Sequence, residues 1–134
     1  MKQEITIPVP GKDAVSATLT GPDGFRKGPG VVFAHGAAFD KNEPLLVHLA
    51  DGLAGRGWMT LRFNFPYRER GKTSPDSQGV LVDAWTAAFH FMTAESGVAI
   101  DRIIAAGKSM GGRVASQMAA EGALPAHGFV FLGY

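Results

Sequence analysis

Ile103-Ile104-Ala105-Ala106-Gly107-Lys108-Ser109-Met110-Gly111-Gly112-Arg113-Val114-Ala115 is the stretch whose reading decides the fold. Its first four residues are continuously apolar, as in a strand covered on both faces. Val114, Ala115, Met118 and Ala119 then mark the apolar face of a short helix that ends at Gly122. Only a very tight turn fits between the two. Gly107 and Gly111 suit it, because backbones that nearly touch leave no room for a Cβ atom. Gly112 and Ala115 keep the helix close to the strands. Gly107-Lys108-Ser109-Met110-Gly111 has the form G-x-S-x-G, a weak pattern alone in a chain with 18 glycines. A buried strand before it and a helix after it make it a nucleophile elbow, with serine held in a strained conformation and its Oγ exposed. Ser109 is the candidate catalytic nucleophile.

Two other readings of the same residues fail. Gly107-Lys108-Ser109 could close a phosphate-binding loop, but that motif needs glycine five positions earlier, where Arg102 stands. A dinucleotide fingerprint fails as well, since no G-x-G-x-x-G lies at a strand–helix junction.

Upstream, Ile5, Ile7 and Val9 alternate with polar or small residues, and Val15, Ala17 and Leu19 do so again after the turn at 10–13. These read as an antiparallel hairpin. A basic Gly/Pro loop over 25–30 precedes Val31-Val32-Phe33-Ala34, a buried strand. Leu45, Leu46, Leu49 and Leu53 form one helical stripe, and residues 58–65 return to strand character. A polar loop covers 66–77. Leu81, Ala84, Trp85, Ala88 and Met92 define a second helical face, and the final strand is expected over 128–134. Strands alternating with helices imply an α/β fold: a mostly parallel sheet with an N-terminal antiparallel hairpin and helices on both faces. No linker or internal repeat divides residues 1–134. The last apolar strand has no helix after it, so the expectation is a C-terminally truncated domain, with association through that strand as the alternative way to cover it.

Composition narrows the function classes. Hydrophobic residues make up 46% and charged residues 19%, which suits a domain with a buried core. A net charge of +1 supplies no field for a nucleic-acid or membrane-surface binder. With no cysteine there is no disulfide, thiolate metal site or cysteine nucleophile, and no cofactor or metal is expected. No leader-like apolar segment follows Met1, and no run is long enough to span a membrane. The expectation is a soluble cytoplasmic protein acting on a small molecule.

His35-Gly36-Ala37-Ala38 follows the first parallel strand. Acyl transfer needs N–H donors aimed at the developing oxyanion, and losing one costs about 3–4 kcal/mol. In a strand–elbow–helix architecture one donor follows the nucleophile, here Met110, and the other comes from this loop, here Ala37. His35 and Gly36 shape the loop, and His35 is read as structural rather than as the catalytic base.

His35-Gly36-Ala37, the run from Leu61 to Tyr67, and Gly107 to Arg113 together resemble the α/β-hydrolase superfamily. The likeness is to dienelactone-hydrolase-like proteins and to the branch of testis-expressed and NSL-complex-subunit hydrolase-like domains. The resemblance covers the chain as the N-terminal portion of a single α/β-hydrolase domain, about two-thirds of it. It implies a serine hydrolase acting on an acyl or ester substrate through Ser109. Dienelactone hydrolases proper carry cysteine at that position, so their substrate is not implied. Some members of the nearer branch act as scaffolds, which sets a non-catalytic interaction module as the alternative.

The acid and histidine of a triad follow the serine in this fold. After Ser109 only Glu121 and His127 are of the right type, and they are expected at the far end of the elbow helix and at the opposite sheet edge. His48 and His90 are read as surface or packing residues. Arg62, Arg68, Arg70 and Lys72 surround the loop after Phe65, where they either select an anionic substrate or are balanced by Glu69 and Asp76; the second is favoured. Arg113 is read as fixing neighbouring loops by hydrogen bonds, against the alternative of an exposed helix charge.

Overall fold

A computed structural model describes residues 1–134. The sheet has six strands: β1 (Lys2–Ile7), β2 (Val15–Thr20), β3 (Lys27–Ala34), β4 (Met59–Phe63), β5 (Ala99–Lys108) and β6 (Gly128–Leu132), in the order β1-β2-β4-β3-β5-β6. β1 and β2 form the antiparallel hairpin, β2 runs antiparallel to β4, and all remaining pairings are parallel. The helices are α1 (Pro44–Ala54), α2 (Pro66–Glu69), α3 (Gln78–His90) and α4 (Met110–Ala120), and α3 continues into a π turn over Phe91–Glu95.

Alternation along the central strands decides which helix covers which face. Val31 and Phe33 of β3 and Ala106 of β5 pack with Leu46 and Ala50 of α1 on one face. Their neighbours Val32, Ala34, Ile103 and Ala105 join Leu81, Trp85, Ala88, Met110, Val114 and Met118 of α3 and α4 on the other. The mostly parallel sheet with helices on both faces is therefore present as expected. Burying a side chain such as Phe63 or Leu61 contributes about 1.5–3 kcal/mol, so the second, larger cluster dominates the hydrophobic stabilisation.

Local differences from the sequence reading have physical causes. β3 begins at Lys27 inside the expected loop, because a register shift between Gly28 and Pro29 accommodates the proline, whose missing N–H a regular ladder would not tolerate. Pro66 starts α2 within the expected polar loop; proline at the first helical position gives up an N–H that had no partner there. Leu45 is exposed, whereas Leu46 and Ala50 take the buried stripe of α1. β6 ends at Leu132 and lies at the sheet edge with Val130 and Phe131 exposed. No helix is long and apolar enough to cross a membrane.

Candidate active site

β5 ends at Lys108 and α4 begins at Met110, so Ser109 alone makes the turn. Its backbone sits at φ 51°, ψ −113°, and it is the only non-glycine residue with positive φ. Such a conformation costs on the order of 1–3 kcal/mol and persists only where its surroundings enforce it. They do so here through the glycines. A Cβ on Gly107 would lie 2.5 Å from Gly112 Cα and closer still to Gly112 N. One on Gly111 would lie 2.7 Å from the carbonyl oxygens of Ala34 and His35, and one on Gly112 2.7 Å from Gly107 O. Ser109 N–H donates to Leu132 O of β6 at 2.9 Å, which ties the turn to the neighbouring strand. From α3, buried Trp85 donates its indole N–H to Gly111 O at 3.0 Å. Trp85 was legible only as a core residue, since helical spacing gives no hint of an indole hydrogen bond.

Beside the elbow lies the loop after β3. A Cβ placed on Gly36 would be 3.6 Å from Ser109 Cβ, so the loop abuts the serine. His35 is fully buried, with Nδ1 donating to Gly36 O at 2.8 Å and Nε2 accepting Phe65 N–H at 3.0 Å. Accepting the Phe65 N–H at Nε2 requires the neutral ring, and burial, the largest cause, pushes its pKa down to about 4 although the bond to Gly36 O opposes it. A histidine so engaged has no free nitrogen with which to take a proton from Ser109. Phe39 N–H also bonds Gly36 O, at 3.1 Å, closing a turn over Gly36–Phe39. Ala37, half-buried, presents its carbonyl to the Tyr67 hydroxyl at 2.7 Å. Tyr67 is itself buried, which pushes its phenol up to about 12 and keeps it a neutral donor. Met110 opens α4, whose first intrahelical bond runs from Arg113 N–H to Ser109 O; the N–H of Met110 is left free at the helix start, next to the serine.

The remaining titratable groups are held elsewhere. Lys108 adjoins Ser109 in sequence, yet its Nζ ion-pairs with buried Glu43 at 3.3 Å and lies 5.4 Å from the centre of the Phe39 ring. His127 accepts Ile103 N–H at the start of the β5–β6 pairing, whereas Ser109 follows its end at Lys108–Leu132. Ser109 lies six residues beyond Ile103, about 20 Å along the strand direction. Glu121 caps the C-terminus of α4, about 18 Å from Ser109 at 1.5 Å per residue. His48 is exposed, and His90 is exposed and paired with Glu95 at 3.2 Å. No three His, Asp or Glu side chains converge as a metal would require.

The basic cluster disperses. Arg62 is buried on β4 and donates to Lys41 O at 2.6 Å and Asn42 Oδ1 at 3.1 Å, anchoring the loop before α1. Arg68 bonds Lys72 O, and Arg70 pairs with Asp76 at 2.8 Å. Glu69 is taken up by Ser16 and Asn64 rather than by an arginine. Arg113 departs from its expected role. It is exposed and its guanidinium makes no hydrogen bond, because the first turn of α4 turns that position toward solvent while Val114 and Ala115 face the sheet.

Residues 27–134 match a family model described as an alpha/beta hydrolase domain. No curated protein matches the chain. Among solved structures, the chain is similar to dienelactone hydrolase from Anabaena variabilis, at 22% identity and TM-score 0.78, covering 98% of this chain and 62% of that one. It is also similar to a dienelactone hydrolase-like promiscuous phosphotriesterase from metagenomic libraries, at 18% identity and TM-score 0.72, covering 98% and 58%. A third is brefeldin A esterase, a bacterial homologue of human hormone-sensitive lipase, at 20% identity and TM-score 0.71, covering 92% and 37%. At these identities the likeness is one of fold, and the chain spans less than two-thirds of each of the three.

Proposed function

The chain belongs to the α/β-hydrolase family, and from that premise we propose that it carries the nucleophile and oxyanion donors of a serine hydrolase of the carboxylic-ester type. The observation that carries the reading is the backbone of Ser109: φ 51°, exposed, at a strand–helix turn. No packing need explains a strained non-glycine residue there, where glycine would cost less. On this reading Ser109 Oγ attacks the acyl carbonyl of a small ester. The resulting oxyanion accepts hydrogen bonds from the N–H groups of Ala37 and Met110. The triad imidazole passes the serine proton to the leaving alkoxide, which departs as the alcohol, and water later releases the acyl group from the serine. The acid and imidazole of a triad are assigned to residues other than these 134, which form the N-terminal portion of the catalytic domain. Without them, acceleration is limited to roughly 10³–10⁴ over water, the residue left by binding and an oxyanion hole.

The distance of His127 and Glu121 from Ser109 favours a second reading, a hydrolase-like interaction module without turnover. Incubation with 4-nitrophenyl acetate separates the two. The ester oxygen leaves as 4-nitrophenolate, the serine proton passes to buffer, and the acetyl group is expected on Ser109, where it accumulates because water is a poorer nucleophile and no base is placed to activate it. Peptide mass spectrometry reads the site. A folded chain with no acetyl on Ser109, or with labelling unchanged in Ser109→Ala, would leave only the interaction module.

A further inference from the structure

We propose that Tyr67 is the positioning residue of the oxyanion loop, its hydroxyl setting the peptide geometry on which Ser109's affinity for tetrahedral anions depends. The proposal rests on the reading of Ser109 and Ala37 given above. The Ala37 N–H lies in the Gly36–Ala37 peptide plane, and its aim is kept when that plane and the next one, which anchors the far side of the Ala37 Cα, are both held. At Ala37 both are. The Gly36–Ala37 plane is held through Gly36 O by His35 Nδ1 at 2.8 Å and Phe39 N–H at 3.1 Å. The Ala37–Ala38 plane is held through Ala37 O by Tyr67 Oη at 2.7 Å. In a trans peptide each N–H points opposite its carbonyl, so the two anchors direct the Ala37 and Ala38 N–H groups away from the protein interior.

Tyr67 is well placed for the task. Its ring is buried, edge-on to His35 with centroids 5.9 Å apart, so the hydroxyl cannot swing away. Its own N–H donates to Asp76 Oδ2 at 2.8 Å, and Asp76 is paired with Arg70. Arg70, Asp76, Tyr67 and Ala37 form one chain of contacts from the loop after α2 to the loop after β3.

A boronic acid tests this on the 134-residue chain without any catalytic base. Ser109 Oγ bonds to trigonal boron, its proton passes to solvent, and the boron becomes a tetrahedral anion whose oxygen occupies the oxyanion position. Phenylboronic acid affinity is read by ¹¹B NMR at fixed pH for the wild type, Ser109→Ala and Tyr67→Phe. The expected result is an adduct in the wild type, none in Ser109→Ala, and affinity weakened about tenfold in Tyr67→Phe, whose ring still fills its place. Amide exchange at Phe39, whose N–H bonds Gly36 O, should rise in Tyr67→Phe while exchange in β3 and β5 stays unchanged. An adduct of equal affinity in Tyr67→Phe, with Ser109→Ala silent, would overturn the positioning role and leave the nucleophile standing. No Ser109-dependent adduct in the wild type would overturn the reading of Ser109 itself. A purely structural Tyr67 would lower the unfolding midpoint and leave the affinity untouched.

Discussion

Gly107→Ala is expected to lower the stability of the chain by about 4 kcal/mol or more, among the largest single-residue effects. The added methyl carbon meets backbone on all sides: Gly111 C and Gly112 Cα at 2.5 Å, and Gly112 N closer still. No rotamer change relieves such a clash, so α4 must move outward by about 1 Å, taking Val114, Ala115 and Met118 out of register with the sheet. Native domains have only about 5–15 kcal/mol in hand. At about 3–4 °C per kcal/mol for a chain of this size, the melting temperature should fall by roughly 15 °C. Gly52→Ala is the comparison, because nothing lies within 4 Å of its Cβ position inside α1. It should be neutral or stabilising by up to about 1 kcal/mol. Differential scanning calorimetry of the two variants decides the matter, and a Gly107→Ala protein melting with the wild type would refute the close approach of strand and helix.

The second large effect is a loss of stability in acid through His35. Its ring is buried and neutral, with a pKa lowered from 6.5 to about 4, first by burial and further by Arg68, against the opposing effects of the Gly36 bond and Asp40. Between these values the unfolded chain binds a proton that the folded chain does not, so stability rises with pH across the window. The contribution is complete above about pH 6.5 and is lost as pH falls toward 4. The shift corresponds to roughly 3 kcal/mol. Protonation also removes the acceptor for Phe65 N–H, which should loosen the loop before its neighbours. Urea midpoints measured from pH 7 to pH 4 should fall steadily in the wild type and much less in His35→Gln. Glu4, held low by Lys41 and Thr18 against the opposing effect of its partial burial, adds a separate loss only near and below 4.5. A flat profile between pH 6.5 and 5 would contradict the buried, neutral histidine.

The architecture was readable because its signals are local. Continuous apolar runs at 31–34 and 103–106 mark strands covered on both faces, and three- and four-residue spacing from Leu81 to Met92 marks a helix. The elbow was readable for the same reason at Gly107 and Gly112, which are required by contact with one another, whereas Gly111 is required by the distant carbonyls of Ala34 and His35. What escaped depends on pairing across the sheet or on side-chain bonds between distant segments. Pro29 reads as loop until the register shift opposite β5 is known. Arg62 reads as part of a surface cluster until β4 carries it inside to the Lys41 carbonyl. Tyr67, thirty residues from Ala37, was visible only as part of a family-like run and not as the holder of a carbonyl. Arg113 reads as bonding neighbouring loops until the pitch of α4 turns it to solvent.

On the proposed reading Ser109, strained and exposed between β5 and α4, is a nucleophile rather than a turn residue. A fluorophosphonate probe tests it most directly, since the serine oxygen displaces fluoride at phosphorus and leaves a stable adduct in a tetrahedral geometry. Applied with the triad's acid and imidazole in place, and followed by peptide mass spectrometry, it should put the phosphonyl group on Ser109, with none in Ser109→Ala. A folded protein that then stays unlabelled at Ser109, or is labelled equally at other serines, would overturn that role.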